Sequence, residues 1–144
     1  MAAWKERGLR RLAEVAADVV VEAIDRPAVG ALAFVPPDRD RTLKRGHHAA
    51  ERLSRELAKQ WELPVAPLLV RARAAPRQRG LTRAERRRNL ASAFAVRGRA
   101  PTRIVLVDDV YTTGATVHFA ASALRKAGAR RVEVVTFART IRIR

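Results

Sequence analysis

Residues 104–116, Ile-Val-Leu-Val-Asp-Asp-Val-Tyr-Thr-Thr-Gly-Ala-Thr, decide how this chain is read. Ile104 to Val107 form a short continuous apolar run, as expected of a strand buried on both faces. Asp108 and Asp109 end that run, a loop rich in Thr and Gly follows, and an Ala-rich helical pattern starts near Thr116. In a parallel α/β sheet this order places the loop at the carboxyl end of a strand, where ligands bind. Backbone N–H groups at a helix start favour a phosphate, and Thr hydroxyls add donors. The adjacent carboxylates repel phosphate directly but suit sugar hydroxyls or a divalent cation. Together these parts describe a site for a phosphorylated sugar. The blander alternative is a solvated strand end followed by an ordinary turn and N-cap. The usual nucleotide phosphate loops do not compete, because the chain has no Gly-x-x-x-x-Gly-Lys-Ser/Thr and no Gly-x-Gly-x-x-Gly.

Outward from this segment, strand patterns alternate with helical ones. Residues 2–25 read as an amphipathic helix, with Trp4, Leu9, Leu12, Val15, Val19 and Ala23 on roughly one face and Pro27 ending it. Residues 30–36 read as a buried strand, followed by a charged turn to Gly46 and a helix from about His47 to Gln60. Pro64–Val70 is a further apolar strand and Ser92–Val96 a brief one. After strand 103–107 and the site loop come helix 116–127, Gly128 as its C′ residue, and a last strand over Arg131–Ala138. This alternation implies an α/β fold with an open, mostly parallel sheet flanked by helices. A sheet of about four or five strands suits the length. Residues 1–144 read as a single domain, without internal repeat or linker.

Thirty basic residues against fourteen acidic ones give a net charge of +16, and only Lys5, Lys44, Lys59 and Lys126 among the cations are lysines. Arg holds phosphates with a planar fork of donors, so this balance favours an anionic partner: a polyphosphate substrate, a nucleic acid, or both. Genome composition or thermal adaptation accounts for choosing Arg over Lys, but less well for the net excess. The absence of cysteine excludes disulfides and Cys-based zinc and suits a reducing cytoplasm. The longest run free of charge, Val110–Leu124, contains Thr, Gly, His and Ser, so no membrane insertion is expected. The amino terminus meets charge at once and lacks the apolar core of a signal peptide.

Residues 71–90 hold eight arginines (71, 73, 77, 79, 83, 86, 87 and 88) against Glu85 alone. So dense a like charge is costly unless it is solvated or faces an anion. Few aromatics are interleaved, which disfavours base stacking there. His47 and His48 are adjacent, the wrong spacing for two ligands on one helix face. His118 suits a solvated or packed position. Trp4, Trp61, Phe34 and Phe94 suit a core, whereas Tyr111 either covers a ribose or base or lines the loop.

The 104–116 segment resembles the phosphoribosyl pyrophosphate (PRPP) binding motif of type I phosphoribosyltransferases: apolar residues, two acids, a short gap, then Thr-Gly-x-Thr. The pattern Gln78-x-Gly-Leu-Thr-Arg-Ala-Glu-Arg-Arg-Arg-Asn89, followed by Ala93-Phe94, resembles the middle of the ComF family of amidophosphoribosyltransferase-like proteins. Lys44-Arg-Gly-His-His-Ala-Ala-Glu51 does so too, with His47-His48 where that family often has Phe-Asn. The four-Cys zinc module of many family members is not found in this sequence.

The resemblance implies a type I phosphoribosyltransferase-like fold and a transfer of ribose 5-phosphate from PRPP, with Mg²⁺, to an acceptor the sequence does not identify. It implies that Asp108 and Asp109 are catalytic, holding the ribose hydroxyls directly or through Mg²⁺. Val110, Tyr111, Thr112, Thr113, Gly114, Ala115 and Thr116 would line the ribose and cradle the 5-phosphate. Arg39 and Arg41 would meet the pyrophosphate, unless Asp38 and Asp40 simply pair with them in a solvated turn. Residues 71–91, with Arg77, Gln78, Arg83 and Arg87, would form a mobile loop that closes over PRPP and excludes water. The competing reading makes this stretch a basic strip for nucleic-acid backbone. Expected partners are therefore PRPP or a nucleotide, with single-stranded DNA or a DNA-uptake protein as the alternative. A homodimer through the N-terminal helix stays open.

Overall fold

β4 (Arg103–Tyr111) is the central strand. β1 (Ala31–Phe34) runs parallel to it on one side, with Ala31 opposite Ile104 and Phe34 opposite Val107. β5 (Arg131–Arg139) runs parallel on the other, from Arg103 opposite Arg131 to Tyr111 opposite Arg139. The computed structural model describes residues 2–37, 48–72, 93–111 and 114–139, with side chains over 11–37, 48–72, 93–110 and 114–138.

Ile104, Val105, Leu106 and Val107 are all fully buried, which is why the run is apolar without alternation. Successive strand side chains point to opposite faces, so the sheet divides two cores. On one face Leu32, Phe34, Val105, Val107 and Val135 meet α1 (Ala2–Ala23) and α2 (Ala49–Trp61) through Ala16, Ala17, Val20, Leu53, Leu57 and Trp61. On the other, Ala33, Val35, Ile104 and Leu106 meet Val117, Ala120, Ala121 and Leu124 of α3 (Ala115–Lys126). Leu69 of β2 (Leu69–Arg71) and Phe94 of β3 (Phe94–Val96) complete that second core.

The sheet is smaller than the sequence suggests. Only Val65 of the expected strand 64–70 joins it, by a parallel bridge to Leu32, with Ala66 N–H donating to the Leu32 carbonyl at 2.7 Å. Pro64 and Pro67 lack the N–H groups that a longer ladder requires. The chain then leaves the sheet, and β2 pairs antiparallel with β3 as a separate ribbon over α3.

α1 also differs. Among its described side chains Ala16, Ala17 and Val20 are buried, whereas Leu12, Val15 and Val19 are half exposed or more. Small side chains let α1 lie close to α2, and Gln60 donates to Asp18 Oδ1 at 2.8 Å across that contact. The larger apolar stripe is turned aside. α2 ends one residue beyond its expected limit, with Glu62 after it in the left-handed region (φ 52°). Gly128, at φ 116°, follows α3 as the glycine C′ residue the sequence implies. No helix among the described residues is long and apolar enough to cross a membrane.

Candidate functional site

β4 continues four residues past the apolar run, so Asp108, Asp109, Val110 and Tyr111 belong to the strand rather than to the loop. Ladder pairing of Asp108 with Thr136 and Val110 with Ala138 carries the strand outward along β5. Extended backbone therefore holds both carboxylates at the carboxyl end of the central strand.

The two acids occupy different environments. Asp108 is buried, at 8% exposure, while Asp109 is exposed. Asp109 N–H donates to Asp108 Oδ1 at 3.0 Å, and Val110 N–H donates to Asp109 Oδ1 at 3.0 Å. Burial pushes the Asp108 carboxyl up to about 7, and the hydrogen bond and negative charge of Asp109 push in the same direction. The Asp109 amide and the positive charge of Arg71 oppose that rise without cancelling it.

The helix that follows starts on a glycine. Gly114 occupies the N-cap of α3 in the left-handed region (φ 73°), where a residue without Cβ fits best. Among the described residues no side chain caps the helix, and no acid lies in its first turn. His118 N–H donates to the Gly114 carbonyl at 2.8 Å, which leaves the amides before it directed beyond the helix end. Gly114, Ala115 and Thr116 are partly exposed there. His118 itself is exposed, edge-on to Phe119 with ring centroids 5.3 Å apart.

Thr112 and Thr113 lie outside the described residues, as do Arg39, Arg41, Arg77, Gln78, Arg83, Arg87 and His47; so do the side chains of Trp4 and Tyr111. The strand before Arg39, however, ends on the same rim as Asp108, since Val35 N–H donates to the Val107 carbonyl at 2.9 Å. His48 precedes α2, with Nδ1 3.3 Å from Glu51. Trp61, Phe34 and Phe94 are core residues, as their spacing implies.

One residue at this rim is not singled out by the sequence. Arg71 ends β2, and its Nε donates to the Pro36 carbonyl at 3.0 Å. Its guanidinium carbon lies 5.0 Å from the centre of the Phe94 ring. In the sequence Arg71 is one arginine of eight in a basic stretch, and only its position at a strand end sets it apart.

Residues 42–142 match the phosphoribosyl transferase domain. The chain belongs to the phosphoribosyltransferase family. Its relatives place it with the ComF proteins. Competence protein F of Haemophilus influenzae is 33% identical over 141 residues, a match covering 94% of this chain and 62% of that protein. DNA utilization protein YhgH of Escherichia coli K12 is 36% identical over 115 residues, covering 74% of this chain and 48% of that protein. The chain thus spans about half to three fifths of the length of these relatives.

Among solved structures, glutamine PRPP amidotransferase from B. subtilis superposes with a TM-score of 0.60 at 18% identity, over 90% of this chain and 26% of that one. A purine phosphoribosyltransferase from Pyrococcus horikoshii does so at 0.52 and 14% identity, over 89% and 80%. These likenesses carry the fold: a parallel sheet flanked by helices, of phosphoribosyltransferase type.

Proposed function

We propose that this protein binds PRPP and transfers its ribose 5-phosphate to an acceptor, releasing pyrophosphate. The observation that carries the reading is the buried Asp108 beside the exposed Asp109, on the strand that leads to Gly114 at the N-cap of α3. The open amides at Gly114, Ala115 and Thr116, with the hydroxyls of Thr112 and Thr113, take the 5-phosphate. Asp108 and Asp109 accept hydrogen bonds from the ribose hydroxyls, beside Val110 and Tyr111. Arg39 and Arg41 meet the pyrophosphate.

In the transfer, the bond from C1 of the ribose to the pyrophosphate oxygen breaks and its electron pair leaves with pyrophosphate. The acceptor's lone pair forms the new bond at C1. Positive charge gathers on the ring between these events, and ionised carboxylates fixed beneath it lower the barrier. The strand holds them in place beforehand, so little reorganisation is needed.

The donors fit Mg²⁺. Asp108 is a buried carboxylate whose ionised form is disfavoured where it stands, so a cation beside it offsets that cost. Hard carboxylate oxygens suit this ion, which is commonly held by one or two carboxylates together with substrate phosphates. Asp108 and Asp109 would hold it, and when bound it neutralises charge on the pyrophosphate. No group of three or more His, Cys, Asp or Glu side chains placed to hold a metal ion occurs among the described residues.

The test is calorimetric titration of the protein with PRPP and Mg²⁺, beside the Asp108→Asn/Asp109→Asn variant. Micromolar-range binding that the variant loses is expected. A folded wild-type protein that takes up no PRPP would overturn the reading.

A second reading is favoured by the net charge of +16 and by the names its relatives carry, a competence protein and a DNA utilization protein. In it, the protein handles single-stranded DNA or a DNA-uptake partner in the cytoplasm, with the PRPP site as scaffold or regulator. The two readings are compatible.

A further inference from the structure

Arg71 joins two pieces of chain that are distant in sequence, close enough to Asp108 for its charge to be felt there. Its Nε donates to the carbonyl of Pro36, just past the end of β1. Its guanidinium lies over Phe94, the first residue of β3. Its positive charge acts on Asp108, on β4. The backbone braces the same places: Val35 N–H donates to the Val107 carbonyl at 2.9 Å, and Ala72 N–H donates to the Ala93 carbonyl at 3.0 Å. Arg71 is the side chain that ties these two braces to each other.

Its chemistry suits that position. Arg stacks on an aromatic face while its in-plane N–H groups point at acceptors around the edge. Lys offers a mobile point charge and cannot satisfy both demands at once. A surface arginine needs neither an aromatic platform nor a fixed carbonyl, so the geometry describes a built joint.

We propose that Arg71 is a positioning residue, which locks the end of β1 and the β2–β3 ribbon to the Asp108 end of β4. This rests on the PRPP reading above, in which Arg39, three residues after Pro36, and Asp108 act on one substrate. Groups that must meet opposite ends of one molecule need a fixed separation, and small misplacements are costly. Among the described residues, Val35 makes the last backbone bond from this end of β1 to β4, which itself continues to Tyr111.

The experiment compares wild type, Arg71→Lys and Arg71→Met by two readouts. The first is calorimetric affinity for PRPP with Mg²⁺. Arg71→Met should weaken it about tenfold or more, and Arg71→Lys should recover part of the loss. The second is amide hydrogen exchange without ligand. In Arg71→Met, exchange should quicken together at Val35, at Ala72 and across Asp109–Val110, with the melting temperature little changed. A merely local packing role would quicken Ala72 alone and leave affinity intact, which would overturn the proposal. Unchanged exchange at Val35 and Asp109 would overturn it as well. If wild type itself takes up no PRPP, the functional reading fails, and the exchange pattern then decides by itself whether Arg71 is the joint.

Discussion

Asp108 carries opposing demands of stability and function. Its carboxyl is raised to about 7 in the folded protein from an ordinary value of 3.8, first because it is buried. A group with a raised folded value adds stability that is fully present below 3.8 and is lost as the pH rises through about 7. Above that range the folded protein carries a buried charge that the unfolded chain solvates freely. Asp108→Asn should therefore stabilise the protein at pH 8 by about 1–2 kcal/mol, and by much less at pH 5, read from urea midpoints. No difference between the two pH values would refute this account. The cost at Asp108 is understandable if a cation and a ribose occupy the site in use, since strained or unsatisfied groups gather where ligands bind. The acidic pair was legible in the sequence because its meaning lies in adjacency and order. Its asymmetry, one acid buried and one exposed, was not, because burial depends on neighbours supplied by β5 and α3.

At the scale of elements, α1 shows where periodicity misleads. Leu12, Val15 and Val19 make the more hydrophobic stripe, yet Ala16, Ala17 and Val20 face the core. A helix chooses its face by what its neighbour admits, and close approach to α2 favours alanine. Replacing Leu12, Val15 and Val19 together by Gln should change stability by less than about 1 kcal/mol, whereas Ala17→Leu should cost about 1–3 kcal/mol by overpacking. Chemical denaturation of both variants decides the matter, and the opposite ranking would show that the stripe is the buried face. Within α2, Ser54 is fully buried and its hydroxyl lacks a hydrogen-bond partner among the described residues. Ser54→Ala removes that unmet polar group, so the melting temperature should rise by a degree or more, equivalent to about 0.5 kcal/mol. A fall would mean that the hydroxyl is satisfied in solution.

For the whole molecule the controlling quantity is charge. A net +16 on 144 residues attracts any polyanion, so affinity for DNA alone says little about purpose. The informative quantity is the salt slope. If residues 71–90 grip single-stranded DNA, replacing Arg83, Arg86, Arg87 and Arg88 with Ala should flatten the slope by about 0.7 for each phosphate no longer neutralised. Fluorescence anisotropy with a labelled oligonucleotide across a salt series measures this. A slope unchanged in the variant would remove that strip from DNA binding and leave PRPP as its more fitting anion.

The order of strands and helices, the buried character of β4, the acidic pair and the glycine that follows α3 were all determined by the sequence alone. Each depends on residues near one another in the chain, where apolar runs, caps and motif spacing act locally. Tertiary structure decided the rest: that β4 extends through Tyr111 because β5 pairs with it, that residues 64–70 contribute one bridge to the main sheet rather than a strand, and that α1 turns its small face inward. Arg71 belongs to this second group. Its contacts lie 35 residues before it, at Pro36, and beyond it at Phe94, and no local pattern encodes a meeting at that distance.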